Sequence, residues 1–227
     1  PAADRAQVAE VAKWLGANYK ELSGWATVGI GRGTQNSLLN LAYVGGLPTH
    51  NFGEPVFEQA ELLSGERNYE MFLKGRDTCQ ACPITCKQVF EHEDDNPYRK
   101  LDPIYGGPEY ESMGAFGPSC GISDNLAVCK ANEMANAYGL DAISTGMSIA
   151  FAMECFENEL ISVEETGGLE FRWGDADMLL KAIDMIAHRQ GFGDVLAEGV
   201  HRMSRRFGPA TEPFDVTVKG QELPMHE

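Results

Sequence analysis

The sequence predicts a mainly α, multihelical fold with little strand. Three observations carry that expectation. Apolar residues recur at three- and four-residue steps through most of the chain. A Ser, Thr, Asn or Asp stands where a helix cap belongs before several of these segments, and only one segment alternates like a strand.

In chain order, Asp4 caps a predicted helix whose Val8, Val11, Ala12, Leu15, Tyr19 and Leu22 form one apolar face. Gly24 and the run "GIGRG" (29–33) end it; with no preceding strand and no following Lys-Ser/Thr, that run reads as a connector rather than a phosphate loop. Thr34 or Asn36 caps a short helix through Leu38, Leu39, Leu41, Ala42 and Val44, stopped by Gly45-Gly46. Leu47 to Phe52 is expected to be extended around Pro48. Glu58 to Leu63 and Glu66 to Lys74 predict two more short helices, which deliver the chain to a cysteine-rich loop. Residues 91–108, polar and carrying three prolines, predict an exposed excursion.

The second half is more regular. Ser123-Asp124 caps a helix to Tyr138, and Asp141 opens one that is apolar nearly all round and therefore central. Asp175 or Asp177 starts a helix through Leu179, Leu180, Ile183, Ile186 and Ala187. Gly193-Asp194 starts another through Val195, Leu196, Val200, Met203 and Phe207. Phe214 to Val218 is the alternating segment.

The 227 residues are enough for one large domain, and 43% hydrophobic with 23% charged residues is ordinary for a globular chain. No apolar run approaches the ~20 residues that span a bilayer, and no leader opens the chain, so a cytoplasmic protein without membrane contact is expected. A start at Pro1 and a stop at Glu227 lead to the expectation of a piece of something longer. Eighteen basic against 34 acidic residues give a net charge of −16, which argues against nucleic acid, since a phosphate backbone needs a basic surface.

Of six cysteines, three crowd into "CQACPITC" as Cys79, Cys82 and Cys86, while Cys120, Cys129 and Cys155 stand singly. Such a cluster reads as metal or redox chemistry rather than a disulfide framework. Structural zinc needs a fourth ligand, which His92 alone offers nearby. A redox disulfide in Cys79-Gln-Ala-Cys82 prefers a helix start after a strand. Radical S-adenosylmethionine enzymes carry the spacing in the opposite order. A [4Fe-4S] cluster is the natural use of three close thiolates plus a remote one, and Cys120 is a candidate fourth ligand, in a spacing like that of molybdopterin oxidoreductases of the formate dehydrogenase type.

The surroundings resemble another family. "GLPTHNF" (46–52), "CQACPITC" (79–86), "GGPEYES" (106–112), "FGPSCGISD" (116–124), "NAYGLDAISTG" (136–146), "GDVLAEGV" (193–200) and "VKGQELPMHE" (218–227) stand in the order seen in tungsten-containing aldehyde ferredoxin oxidoreductases. The resemblance covers nearly the whole chain. It implies the middle helical domain over 1–215, with 216–227 opening the next, and an N-terminal β domain and most of the C-terminal domain lying outside the chain. It implies oxidation of aldehydes to carboxylic acids at a tungsten (or molybdenum) bis-pterin, with electrons passing through a [4Fe-4S] cluster to ferredoxin. Alternatives are a tungsten-dependent aromatic acyl-CoA reductase subunit and a non-catalytic iron–sulfur or zinc module. The remaining domains of the same polypeptide are implied partners, with room for a homodimer.

The resemblance makes Cys79, Cys82 and Cys86 three of the cluster ligands and takes the fourth from a D-x-x-G-L-C motif absent here, leaving Cys120 near the active site. "Asn136-Ala-Tyr-Gly139-Leu140-Asp141" is similar to the first pterin motif of the family, with Asn136 in place of its leading Asp; Asp141 also reads as a plain helix cap. Glu111, with Glu109 beside it, resembles the glutamate the family places near the metal, where it takes a proton from the attacking water or hydrated aldehyde. The bland alternative is a solvated face or first-turn acids. The family's partner histidine lies further C-terminal, and the context of His226 does not match it. His50, His92, His188 and His201 lack metal spacing, and His188 and His201 are read as cations at helix ends.

Overall fold

The computed structural model describes residues 3–22, 33–80, 82 and 84–226; Gly24 and residues 29–32 of the glycine run lie outside the described residues. Helix α1 (Arg5–Leu22) starts where Asp4 accepts the Gln7 N–H at 2.9 Å, and none of its residues is buried. A 3₁₀ turn at Thr34–Asn36 leads into α2 (Ser37–Val44), and a second 3₁₀ turn, Ala60–Leu63, leads into α3 (Gly65–Phe72), capped by Ser64.

Four further helices build the centre. They are α4 (Tyr110–Phe116), α5 (Asn125–Tyr138), α6 (Ala142–Glu157) and α7 (Ala176–His188). In the last three the residue before the helix is an Asp whose carboxylate takes the N–H three positions on: Asp124 to Ala127, Asp141 to Ser144 and Asp175 to Met178, at 2.7–3.2 Å. As its all-round apolar sequence predicts, α6 is central: ten of its sixteen residues are buried, and α4, α5 and α7 all pack on it. Gly146 allows the closest approach, since a Cβ there would sit 2.7 Å from the Ala115 carbonyl oxygen of α4. One apolar cluster runs from Leu38 to Met225; a smaller one of Phe72, Phe90, Leu101, Leu126 and Cys129 seats a hairpin beside it.

That hairpin corrects the sequence reading. The expected helix Glu66–Lys74 ends at Phe72, and the chain turns into β1 (Leu73–Asp77), antiparallel to β2 (Lys87–Phe90) with Arg76 facing Gln88 and Asp77 facing Lys87. The cysteine run is the connection between these strands. Residues 50–52, expected extended, form a left-handed turn with φ of 46°, 53° and 65° at His50, Asn51 and Phe52. Such a conformation costs roughly 1–2 kcal/mol per residue. It is held because His50 and Asn51 donate their N–H groups to the Pro118 and Ser119 carbonyls, and the Asn51 amide donates to Glu154 and the Phe214 carbonyl.

The single helix expected over 193–207 is two, α8 (Phe192–Leu196) and α9 (Val200–Phe207). They are broken at Gly199, whose φ of 83° no other residue adopts cheaply, and Glu222 accepts the Val200 N–H at 2.9 Å. His201 therefore stands in a first turn, paired with Asp215 at 2.8 Å, rather than at a helix C-terminus. Of the expected strand at 214–218 only β3 (Thr217–Val218) pairs, with β4 (Gln221–Glu222); Pro209–Phe214 is a 3₁₀ turn. Most of the 91–108 excursion is exposed, but Leu101 is buried and bridges His92. Among the described residues no helix is long and apolar enough to cross a membrane.

Candidate active site

The β1–β2 hairpin presents the cysteines. The Cys82 N–H donates to the Cys79 carbonyl at 3.0 Å, and the Thr78 hydroxyl lies 2.8 Å from both the Cys82 and Ile84 carbonyls, folding the loop on itself. Cys79 is exposed, Cys82 and Cys86 are partly buried, and all three are free thiols. Burial first, then the charge of Glu109 and the neighbouring Cys79 and Cys82, push the Cys86 thiol up. Three soft donors on one loop suit an iron–sulfur centre chemically. Their geometry is open: among the described residues no three His, Cys, Asp or Glu side chains converge closely enough to hold a metal ion.

The two candidate completing residues within the chain are placed elsewhere. His92 follows the far end of β2, its ring edge-on to Phe72 at 5.6 Å. Cys120 is fully buried, its thiol donating to the Ala115 and Gly146 carbonyls at 3.4 and 3.5 Å, and burial drives it well above an ordinary thiol.

Beside the hairpin, a chain of buried amides has a direction. Asn68 donates to Gln35 at 2.5 Å, and Gln35 donates to Gln88 on β2 at 2.6 Å. Gln88 also lines a cleft of about 290 Å³, together with Asp77, Lys87, Glu109, Asn132 and Asn136. Among the described residues, Gln88 Nε2 and Asn132 Nδ2 are buried without a hydrogen-bond partner. Asn136 donates to the Tyr105 carbonyl at 3.0 Å. Leu140 and Asp141, past the turn at Gly139, line a different cleft of about 350 Å³ with Ser144, Ser148 and Arg189. The structure thus divides the motif between two clefts, and Asp141 does cap α6.

Glu109 and Glu111 begin α4, where the helix dipole favours acids. Glu109 accepts the Thr34 hydroxyl, which in turn accepts the Tyr110 N–H at 2.9 Å. Glu109 borders both the amide-lined cleft and one of about 550 Å³ formed with Thr34, Leu41, Tyr110, Glu111 and His226. Glu111 Oε2 accepts the Met225 N–H at 2.7 Å, and its other oxygen meets His226 Nδ1. The Tyr110 hydroxyl donates to the Met225 carbonyl, and burial, then the Glu111 charge, raise that phenol. His226, set aside on sequence context, is therefore part of the Glu111 site; a separation of 115 positions hides the pairing from local sequence. Gln88 and Asn132 were also missed, because a lone amide has no sequence signature.

A family model described as aldehyde ferredoxin oxidoreductase, domains 2 & 3, matches residues 9–227. The chain belongs to the aldehyde ferredoxin oxidoreductase family. It is 42% identical over 197 residues to a tungsten-containing aldehyde ferredoxin oxidoreductase of Pyrococcus abyssi, and 40% identical over 192 residues to one of Thermococcus kodakarensis. Each match covers 84% of this chain and 30% of the relative, so the chain spans 30% of their length. The fold is also that of part of the active-site complex BamBC of benzoyl coenzyme A reductase with 1,5-dienoyl-CoA. There the TM-score is 0.59 at 22% identity, covering 73% of this chain and 23% of that one. Oxidoreductase relatives and the mainly α fold agree with the sequence reading.

Proposed function

We propose that this chain forms one wall of the active site of a tungsten-dependent enzyme that oxidises an aldehyde to a carboxylic acid and passes electrons to ferredoxin. The observation that carries the reading is Glu111, a carboxylate fixed by the Met225 N–H at the edge of a 550 Å³ cleft with Leu41 and Tyr110 in its walls. The adjoining cleft supports the cofactor. Gln88, Asn132 and Asn136 line it, and side-chain amides carry the donors and acceptors that would match the edges of a pterin ring. Gly139, Leu140 and Asp141 would hold its surroundings from the start of α6.

Cys79, Cys82 and Cys86 would ligate the [4Fe-4S] cluster, with a fourth thiolate other than Cys120, which is committed to the core. When bound, the tungsten bis-pterin supplies two-electron oxidation and the cluster carries the electrons onward. The overall balance is RCHO + H₂O → RCOOH + 2H⁺ + 2e⁻. Glu111 accepts a proton from the attacking water or hydrated aldehyde. Thr34 ties Glu109 back, which keeps a second carboxylate from occupying the same position. The remaining domains of the polypeptide would close the site, and a homodimer is compatible with it.

The test is Glu111→Gln in the full-length polypeptide, with tungsten and iron contents measured. Loss of one proton-transfer group is expected to lower kcat/KM by roughly 10²–10⁴ at unchanged metal content. Full activity of that variant overturns the assignment, and turnover of an aromatic thioester in place of aldehydes overturns the substrate class.

A further inference from the structure

We infer that His226 is a positioning residue for Glu111, holding its carboxylate in one orientation toward the cleft. The inference rests on the reading of Glu111 as proton acceptor, but the contact behind it stands independently. Both oxygens of Glu111 are engaged by one dipeptide: the Met225 N–H meets Oε2 and the His226 ring nitrogen Nδ1 meets Oε1.

The first residue of that dipeptide is itself held in place. Met225 is fully buried, and its carbonyl accepts the Tyr110 hydroxyl from the residue preceding Glu111. The imidazole, itself more than half exposed, therefore follows directly on a clamped residue beside the start of α4. A carboxylate gripped by a single donor can still turn about its terminal torsion, which is broad. A second donor on the other oxygen fixes that torsion, and near-attack geometry depends on such orientation. Glu109 and Tyr110 are the other titratable groups of this cleft, and Glu109 is bound to Thr34.

The test uses the full-length polypeptide and two readouts. In the loaded enzyme, His226→Phe is expected to lower kcat about 10–100-fold, the usual cost of losing an orienting partner, with KM within about twofold. His226→Asn, whose amide N–H reaches the position of Nδ1, is expected to restore most of kcat. In cofactor-free protein labelled with ¹⁵N-histidine, the Nδ1 resonance of His226 is expected to move in Glu111→Gln, because the carboxylate oxygen that this nitrogen meets is replaced. An unchanged kcat in His226→Phe, failure of His226→Asn to rescue, or an unmoved Nδ1 resonance overturns the inference. Full activity of Glu111→Gln overturns the functional reading instead, whatever the Nδ1 resonance does.

Discussion

Cysteines of one chemistry are separated here by environment alone. Cys79, Cys82 and Cys86 are reachable from solvent, whereas Cys120, Cys129 and Cys155 are buried, with burial pushing the Cys155 thiol up to about 12. In cofactor-free protein, iodoacetamide at pH 8 is expected to alkylate the first three and spare the others until urea is added; mass spectrometry of the labelled peptides decides. The buried thiols also set an alkaline limit. They keep their protons in the fold, while an unfolded chain releases them above the ordinary thiol value of 9.0. Stability is therefore fully present below pH 9 and lost as pH rises toward 12, by about 1.4 kcal/mol per pH unit for each such thiol. A urea midpoint at pH 10 equal to that at pH 8 would contradict this. The cysteines and both glutamates could be nominated from sequence because each sits inside a motif. His226 could not, because what makes it part of the site is a contact across 115 positions of sequence.

At the scale of elements, what was legible is what local chemistry decides. Asp124, Asp141 and Asp175 each precede an apolar repeat and each caps a helix, and the all-round apolar α6 is the buried one. What failed depends on distant partners. Leu73–Asp77 carries two cations, an Asp and a Gly, with no alternation, and is a strand only because Lys87–Phe90 pairs with it. The left-handed turn at 50–52 exists because carbonyls of residues 118 and 119 receive its N–H groups. The α4–α6 seam gives the prediction at this scale. Gly146→Ala gains up to about 1 kcal/mol of helix propensity, but its methyl meets the Ala115 carbonyl at 2.7 Å. Overpacking of that kind costs typically 1–3 kcal/mol. A net loss of about 1–2 kcal/mol is expected in urea unfolding, and an unchanged or raised midpoint would show that the two helices can move apart freely.

Across the whole molecule, the core and the candidate site are one construction joined at Met225. Its side chain is fully buried against α4, where a Cβ on Gly114 would come within 2.7 Å of Met225 Cγ, and its backbone carries bonds to both Tyr110 and Glu111. By contrast α1 contributes no buried residue, consistent with a chain that spans 30% of its relatives' length. Met225→Ala therefore tests whether stability and site geometry are coupled. Truncating a buried Met typically costs about 2–5 kcal/mol, and this one also loosens the backbone that orients Glu111. The expected result is a lowered unfolding midpoint together with faster hydrogen exchange at the residue 225 amide, which the Glu111 carboxylate protects in the parent protein. A stability loss with unchanged exchange would mean that the two hydrogen bonds hold the segment without the side chain. In that case the apolar anchor would serve the core alone, and the orientation of Glu111 would rest on the Met225 N–H and His226.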